Sequence, residues 1–187
     1  MAIPLVPERG ASVAAGGAVF NDVHLNGVDP KGRVSLPAAF RSTVDIRCKT
    51  GSVATGLEQI LRMAKHPELP CIEVSDARQV ADDEAQMLAR AEHIAAETGR
   101  FAGDILEEEE AKAYPLMKDV SFDAAGRMVL PERLRAKAQI DSDAFFVGRG
   151  RRFRIWNPEV LRNTPGGELS DVLDEMEALL AKRKERG

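Results

Sequence analysis

The chain has 187 residues, of which 44% are hydrophobic, and 26 Lys and Arg stand against 30 Asp and Glu, a formal net charge of −4. That length suits one or two small domains with a core of their own, and no apolar run approaches the roughly 18 residues a membrane span requires. Overall acidity argues against a nucleic-acid partner until the distribution is read. Residues 76–119 carry a net −7, whereas 29–49 carry +3 and 120–154 carry +4. Local fields, not the total, decide where a polyanion docks.

From the N terminus, residues 1–19 read as a flexible arm. Their first part, MAIPLVPERGASVAAGG, lacks a basic leader region and is interrupted by Glu8 and Arg9, unlike a signal peptide. The stretch DPKGRVSLPAAFR at 29–41 then returns as DAAGRMVLPERLR at 123–135, 94 residues later. The shared frame is D-x-x-G-R-x-x-L-P-x-x-[FL]-R. DPKG is a type I turn with Asp first, Pro second and Gly fourth, and DAAG keeps the Asp and Gly. Asp29, Gly32, Asp123 and Gly126 therefore shape turns. Leu25 and Val28 before, and Val34 and Leu36 after, predict a β-hairpin; Val120 and Phe122 before, and Met128, Val129 and Leu130 after, predict the same in the second copy. Pro37 and Pro131 fit the first position of a short helix.

Each repeat is then strand–turn–strand–helix–strand, too small to bury a core alone. Two such units are expected to close on each other as one pseudo-twofold barrel. Arg33 and Arg127 follow the turn glycines directly. An exposed arginine there is often just solvated. Its recurrence in both halves, beside Lys31, instead points to phosphate or base-edge contact with a DNA duplex. The segment GRGRRFR adds Arg149, Arg151, Arg152 and Arg154, either as a solvated strand face or as phosphate contacts.

Between the repeats, DARQVADDEAQMLARAEHIAAETG at 76–99 reads as an amphipathic helix with acids in its first turn and Gly99 able to end it. GDILEEEEAKAY continues as a second helix. Glu107 to Glu110 form a solvated face, or a block that keeps DNA on the opposite side. The tail from Gly166 reads as a helix capped by Ser170, its apolar stripe packing on its own chain or on a neighbour. Cys48 and Cys71 form no CxxC pair and read as buried thiols. His24, His66 and His93 make no ligand spacing, and His66 with Cys71 leaves a metal set incomplete. No catalytic motif, cofactor loop or small-molecule site is indicated, so no enzyme activity is expected.

The double motif, with VGRGRRFRIWNPE closing the second copy, resembles the MraZ family, and each half resembles the AbrB-type swapped-hairpin unit. The likeness covers about residues 20–160. It implies an α+β fold of two swapped-hairpin β-barrel half-repeats at 20–76 and 114–160. An acidic helical connector at 77–113 and a C-terminal helix at 161–187 complete it. It further implies a cytoplasmic, nucleoid-associated transcriptional regulator of the division and cell-wall gene cluster. Such a regulator works as a homo-oligomeric ring on direct repeats in promoter DNA, with Arg33 and Arg127 facing the duplex. Lys31 has no basic counterpart, because Ala125 takes its place. The first half departs from the pattern by extra length at about 51–69, where Ile60, Leu61 and Met63 suggest a helical insertion. A single-repeat antitoxin or protein-interaction module is the other class; two copies and a patterned tail disfavour it.

Overall fold

The computed structural model describes residues 18–51 and 53–185. The predicted arm at 1–19 thus lies outside the described residues apart from Ala18 and Val19. The first repeat runs β1 (Val23–Gly27), β2 (Arg33–Ser35), α1 (Ala38–Thr50), β3 (Ile60–Lys65) and β4 (Ile72–Asp76). The helices α2 (Ala77–Thr98) and α3 (Ala102–Ala113) follow, with a 3-10 turn at Tyr114–Leu116. The second repeat runs β5 (Lys118–Ser121), β6 (Arg127–Val129), α4 (Glu132–Lys137), β7 (Asp143–Gly148) and β8 (Phe153–Trp156). Helices α5 (Pro158–Arg162) and α6 (Ser170–Lys184) close the chain. The α+β class is as expected. Among the described residues no helix is long and apolar enough to cross a membrane.

The strands form a six-stranded antiparallel sheet in the order β1-β7-β8-β4-β3-β5 and a two-stranded ribbon of β2 with β6. Exchanging the two repeats reverses that order onto itself. The duplication seen in the sequence is therefore a pseudo-twofold in space, its axis passing between β4 and β8 and through the ribbon. Two expectations need correction. The sheet is not a closed barrel: β1 and β5 are its separate edges. Nor do the strands around each turn pair as a local hairpin. β1 pairs with β7 and β5 with β3, each in the other repeat, while β2 and β6 pair with each other. The exchange follows from burial. An isolated two-stranded hairpin hides little apolar surface, whereas exchange puts Val34 and Met128 under the ribbon at 3% exposure each.

The core fills the space between sheet, ribbon, α1 and α4. At its centre Phe20, Phe40 and Phe153 stack at ring separations of 5.0 to 5.5 Å, mostly edge-on or tilted. Such pairs add about 0.5–1.5 kcal/mol each beyond their area. The sheet's other face carries a second cluster. There Phe145, Val147 and Trp156 meet Leu161 and the buried Met176 of α6. The tail helix thus packs on its own chain. Cys48 and Cys71 are buried and free, and burial pushes the Cys71 thiol up to about 12.

The helical insertion is also overturned, since Ile60–Lys65 is strand β3, the counterpart of β7. Its residues alternate, with Leu61 and Met63 buried and their neighbours half-buried. Leu, Met and Ala favour helices as isolated residues, but a central position between β4 and β5 overrides propensity. Most of the first half's extra length lies earlier. Helix α1 has 13 residues where α4 has six, and the connection to the next strand spans 51–59 where its counterpart spans 138–142.

Smaller corrections concern caps. Pro37 and Pro131 sit at the cap position, one residue before their helices. Ser170 is the first residue of α6, behind Leu169, and makes no capping bond. The N-cap of α2 is Asp76, whose side chain accepts from the Gln79 amide at 2.8 Å, and its first turn holds no acid. Gly99 ends that helix in the left-handed region, as expected.

Candidate nucleic-acid interface

The two turns are built identically. In the first, the Gly32 amide donates to the Asp29 carbonyl at 2.8 Å, and Gly32 has φ +79°. In the second, the Gly126 amide donates to the Asp123 carbonyl at 2.7 Å, and Gly126 has φ +83°. Each Asp carboxylate then collects three donors. Asp29 accepts from the amides of Lys31 and Arg33, both at 2.9 Å, and from Arg33 Nε at 2.5 Å. Asp123 accepts from the amides of Ala125 and Arg127, both at 2.9 Å, and from Arg127 Nε at 2.7 Å.

These bonds favour the ionised acid. The Arg33 backbone amide first of all, and its guanidinium, hold Asp29 below the usual 3.8; the Arg127 amide and guanidinium do the same for Asp123. A lowered folded value means that the turn's contribution is complete above 3.8 and fades as pH falls through the lower value. Both turns are therefore fully formed at neutral pH. The geometry also fixes the arginines. Because Nε is engaged, each guanidinium turns its two terminal nitrogens outward, and the side chains are 64% and 75% exposed.

The ribbon brings the two arginines together. Arg33 stands opposite Val129 and Arg127 opposite Ser35, with Val34 opposite Met128 beneath. Arg33 and Arg127 are thus diagonal neighbours, about 7–8 Å apart at the backbone. An open groove of about 730 Å³ beside them is lined by both arginines, Ser35 and Val129, and by Asp119 and Ser121 of β5. Lys31 is exposed on the first turn, next to Arg33.

The turns are also clamped across the twofold. The Leu36 amide donates to the Gly126 carbonyl at 2.7 Å, and the Leu130 amide donates to Gly32 at 2.9 Å. Arg135 donates to the carbonyls of Asp29 and Pro30, both at 3.4 Å, and Arg41 lies beside Gly126. The last arginine of each motif therefore lies against the other copy's turn, and in the second copy it is hydrogen-bonded to it. Sequence reading missed this role, although its recurrence at the same motif position in both copies was the available signal. A Cβ at Gly126 would come within 2.9 Å of the Leu36 carbonyl oxygen, against 3.2 Å from the Leu130 carbonyl for Gly32. Gly126→Ala is expected to cost about 1–3 kcal/mol, and more than Gly32→Ala, as read by denaturant midpoints of the two variants.

The remaining basic candidates lie elsewhere. Arg149 pairs with Glu168 at 3.0 Å, and Arg154 reaches the same carboxylate at 3.1 Å. The Glu168 side chain is wholly buried and accepts also from Trp156 Nε1 at 3.1 Å. Arg152 Nη2 donates to both carboxylate oxygens of Asp83 in α2, each at 2.6 Å, and its Nε donates to Ser75 at 3.2 Å. Arg151 is exposed, and its carbonyl accepts from Arg47 at 3.5 Å. These arginines tie the β7–β8 loop to α2 and to the segment before α6. The acids of the connector are likewise partly matched within the chain, Glu84 with Arg62 and Glu108 with Arg100. Among the described residues no cluster of His, Cys, Asp or Glu could hold a metal ion.

Fold and site together define a duplicated, pseudo-twofold α+β protein that presents one basic two-stranded ribbon. A family model described as "MraZ protein, putative antitoxin-like" matches residues 117–161, the second repeat. Relatives match far more of the chain. One from Gluconacetobacter diazotrophicus, named transcriptional regulator MraZ, is 33% identical over 141 residues, 75% of this chain and 80% of its own length. Bearers of the same name in Gluconobacter oxydans and a Ruegeria species are 35% and 30% identical, covering 76% and 80% of this chain. The chain belongs to the MraZ family.

Proposed function

We propose that this protein is a DNA-binding transcriptional regulator that lays its β2–β6 ribbon into the major groove of promoter DNA. The observation that carries the reading is the pair of turn arginines, each held at Nε by its own Asp, with its outer nitrogens unbonded among the described residues. A major groove about 12 Å wide admits a two-stranded ribbon, and an arginine's outer edge matches the acceptors of guanine or of phosphate. Lys31 adds a phosphate contact on one side only, since Ala125 stands at its counterpart. Arg151, and Arg149 and Arg152 if their ion pairs open, would extend the basic surface toward the flanking backbone. The names of the relatives, regulators and not enzymes, agree with this reading.

One ribbon gives few contacts, so tight binding calls for several. A homo-oligomeric ring offering ribbons at fixed spacing would gain avidity on promoter DNA with repeats at matching intervals, without any new contact. Occupying the promoter of its own gene cluster would repress it. No membrane partner or small-molecule substrate enters this account.

Fluorescence anisotropy on DNA from upstream of its own gene, against a scrambled duplex at two salt concentrations, tests the proposal. Selective binding that weakens steeply with salt is expected. Equal affinity for both duplexes would remove the sequence-specific reading, and no binding would remove DNA as the partner. Asp123→Asn makes a sharper point. It removes a negative charge from the interface, which by charge alone would strengthen binding. It also releases Arg127 Nε, and for that reason binding is expected to weaken several-fold in the same assay.

A further inference from the structure

The outward face of the ribbon is a two-by-two array whose halves differ. The pseudo-twofold relates Arg33 to Arg127 and Ser35 to Val129, each 94 residues apart. The arginines repeat, but a hydroxyl in one half answers an isopropyl group in the other. Val129 is 52% exposed, and among the described residues it is the one large exposed hydrophobic that lies in a β-strand. Strand formation does not require it, because Ser35 fills the equivalent position of the same ribbon. The core does not require it either, since the inward residues are Val34 and Met128.

We propose that Val129 reads a thymine by contact with its C5 methyl group, while Ser35 offers a hydroxyl to a hydrogen-bonding base edge. The inference rests on the DNA-binding reading above. In the major groove the thymine methyl is the apolar feature among donors and acceptors. Val129 faces Arg33 across the ribbon and is two residues from Arg127, so charge delivers it to the groove floor. The two halves of the ribbon therefore read unlike base steps. A protein of near-twofold symmetry thereby gains a preferred direction on its DNA.

The test uses the upstream fragment in two forms, one with thymine and one with uracil throughout, which differ by the methyl groups alone. Anisotropy of the intact protein should show about fourfold weaker binding to uracil DNA for each methyl contacted. Val129→Ser should bind both forms equally, and Ser35→Val should depend on the methyl groups more than the wild type does. Thermal melting of each variant checks that it is folded, and the native serine at position 35 shows that the ribbon tolerates this residue. Equal wild-type binding to both DNAs would overturn the proposal and leave the DNA-binding reading standing. So would a Val129→Ser variant that keeps the wild-type loss, since DNA shape would then carry the effect. Failure of the wild type to bind either DNA selectively would overturn both.

Discussion

Arg47→Met is expected to lower the melting temperature by about 10 °C. Arg47 of α1 donates through Nε to Asp76 at 2.5 Å, with side-chain exposures of 9% and 0%. Its other nitrogens donate to the carbonyls of Ala18 at 3.3 Å and Arg151 at 3.5 Å, and it lies over the Phe20 ring. One side chain thus joins α1, the start of α2, the segment before β1 and the β7–β8 loop. Removing it strands a buried carboxylate, which costs about 3–5 kcal/mol. In a chain of this size each kcal/mol moves the midpoint by roughly 2–4 °C. The pair need not be a net gain over an apolar contact, so Arg47→Met combined with Asp76→Asn should recover most of the loss, the Asn still capping α2. A double variant as unstable as the single one would show that packing of the arginine stem, not the orphaned charge, carries the effect.

Replacing both ribbon arginines, Arg33→Ala with Arg127→Ala, is expected to bring binding to the upstream fragment down to the level of scrambled DNA. Each bidentate base contact is worth about 1–3 kcal/mol, so the pair accounts for a loss of about 10²-fold or more. Both side chains are exposed and outside the core, so the melting temperature should hardly move. The two single variants discriminate further. Equal losses mean that both halves of the ribbon touch DNA. A loss confined to Arg127→Ala means that the first half, with its longer α1 and connection, has drifted from contact. An arginine that meets only phosphate would instead weaken binding to all sequences alike and lower the salt slope by about one unit.

The duplication and its turns were legible because they depend on local chemistry. Asp at the head of a turn and Gly at its end are demanded by hydrogen bonding and by a positive φ, whatever the turn later packs against. Helix α2 was legible for the same reason, from its apolar spacing and Gly99. What local chemistry cannot specify is which strand pairs with which. Nothing in VHLNG or RVS says that one joins β7 and the other β6. That choice is made by the burial of Val34 and Met128 beneath a shared ribbon. Strand β3 was hidden because its Leu, Met and Ala suit a helix until flanking strands supply a ladder. Arg47 counted toward a basic surface by charge alone, yet its partner Asp76 lies 29 residues away and draws it inside. Arg149 and Arg152 were likewise read from composition, which does not reveal that Glu168 and Asp83 await them. At the ribbon, Arg33 and Arg127 were found from the repeat. Val129 counted only as one of the apolar residues flanking the second turn, because an apolar residue in a strand looks like core until register places it outward.

The most direct measurement is a photo-crosslink from the outward face of the ribbon. Ser35→Cys, carrying a short photoreactive group, is irradiated with the upstream duplex; the two native cysteines are buried. The same group on Glu107→Cys, on the acidic helix α3, is the comparison. Strong crosslinking from position 35, and little from position 107, is the predicted result. Crosslinking from position 107 with none from position 35 would place DNA on the opposite face and contradict the account.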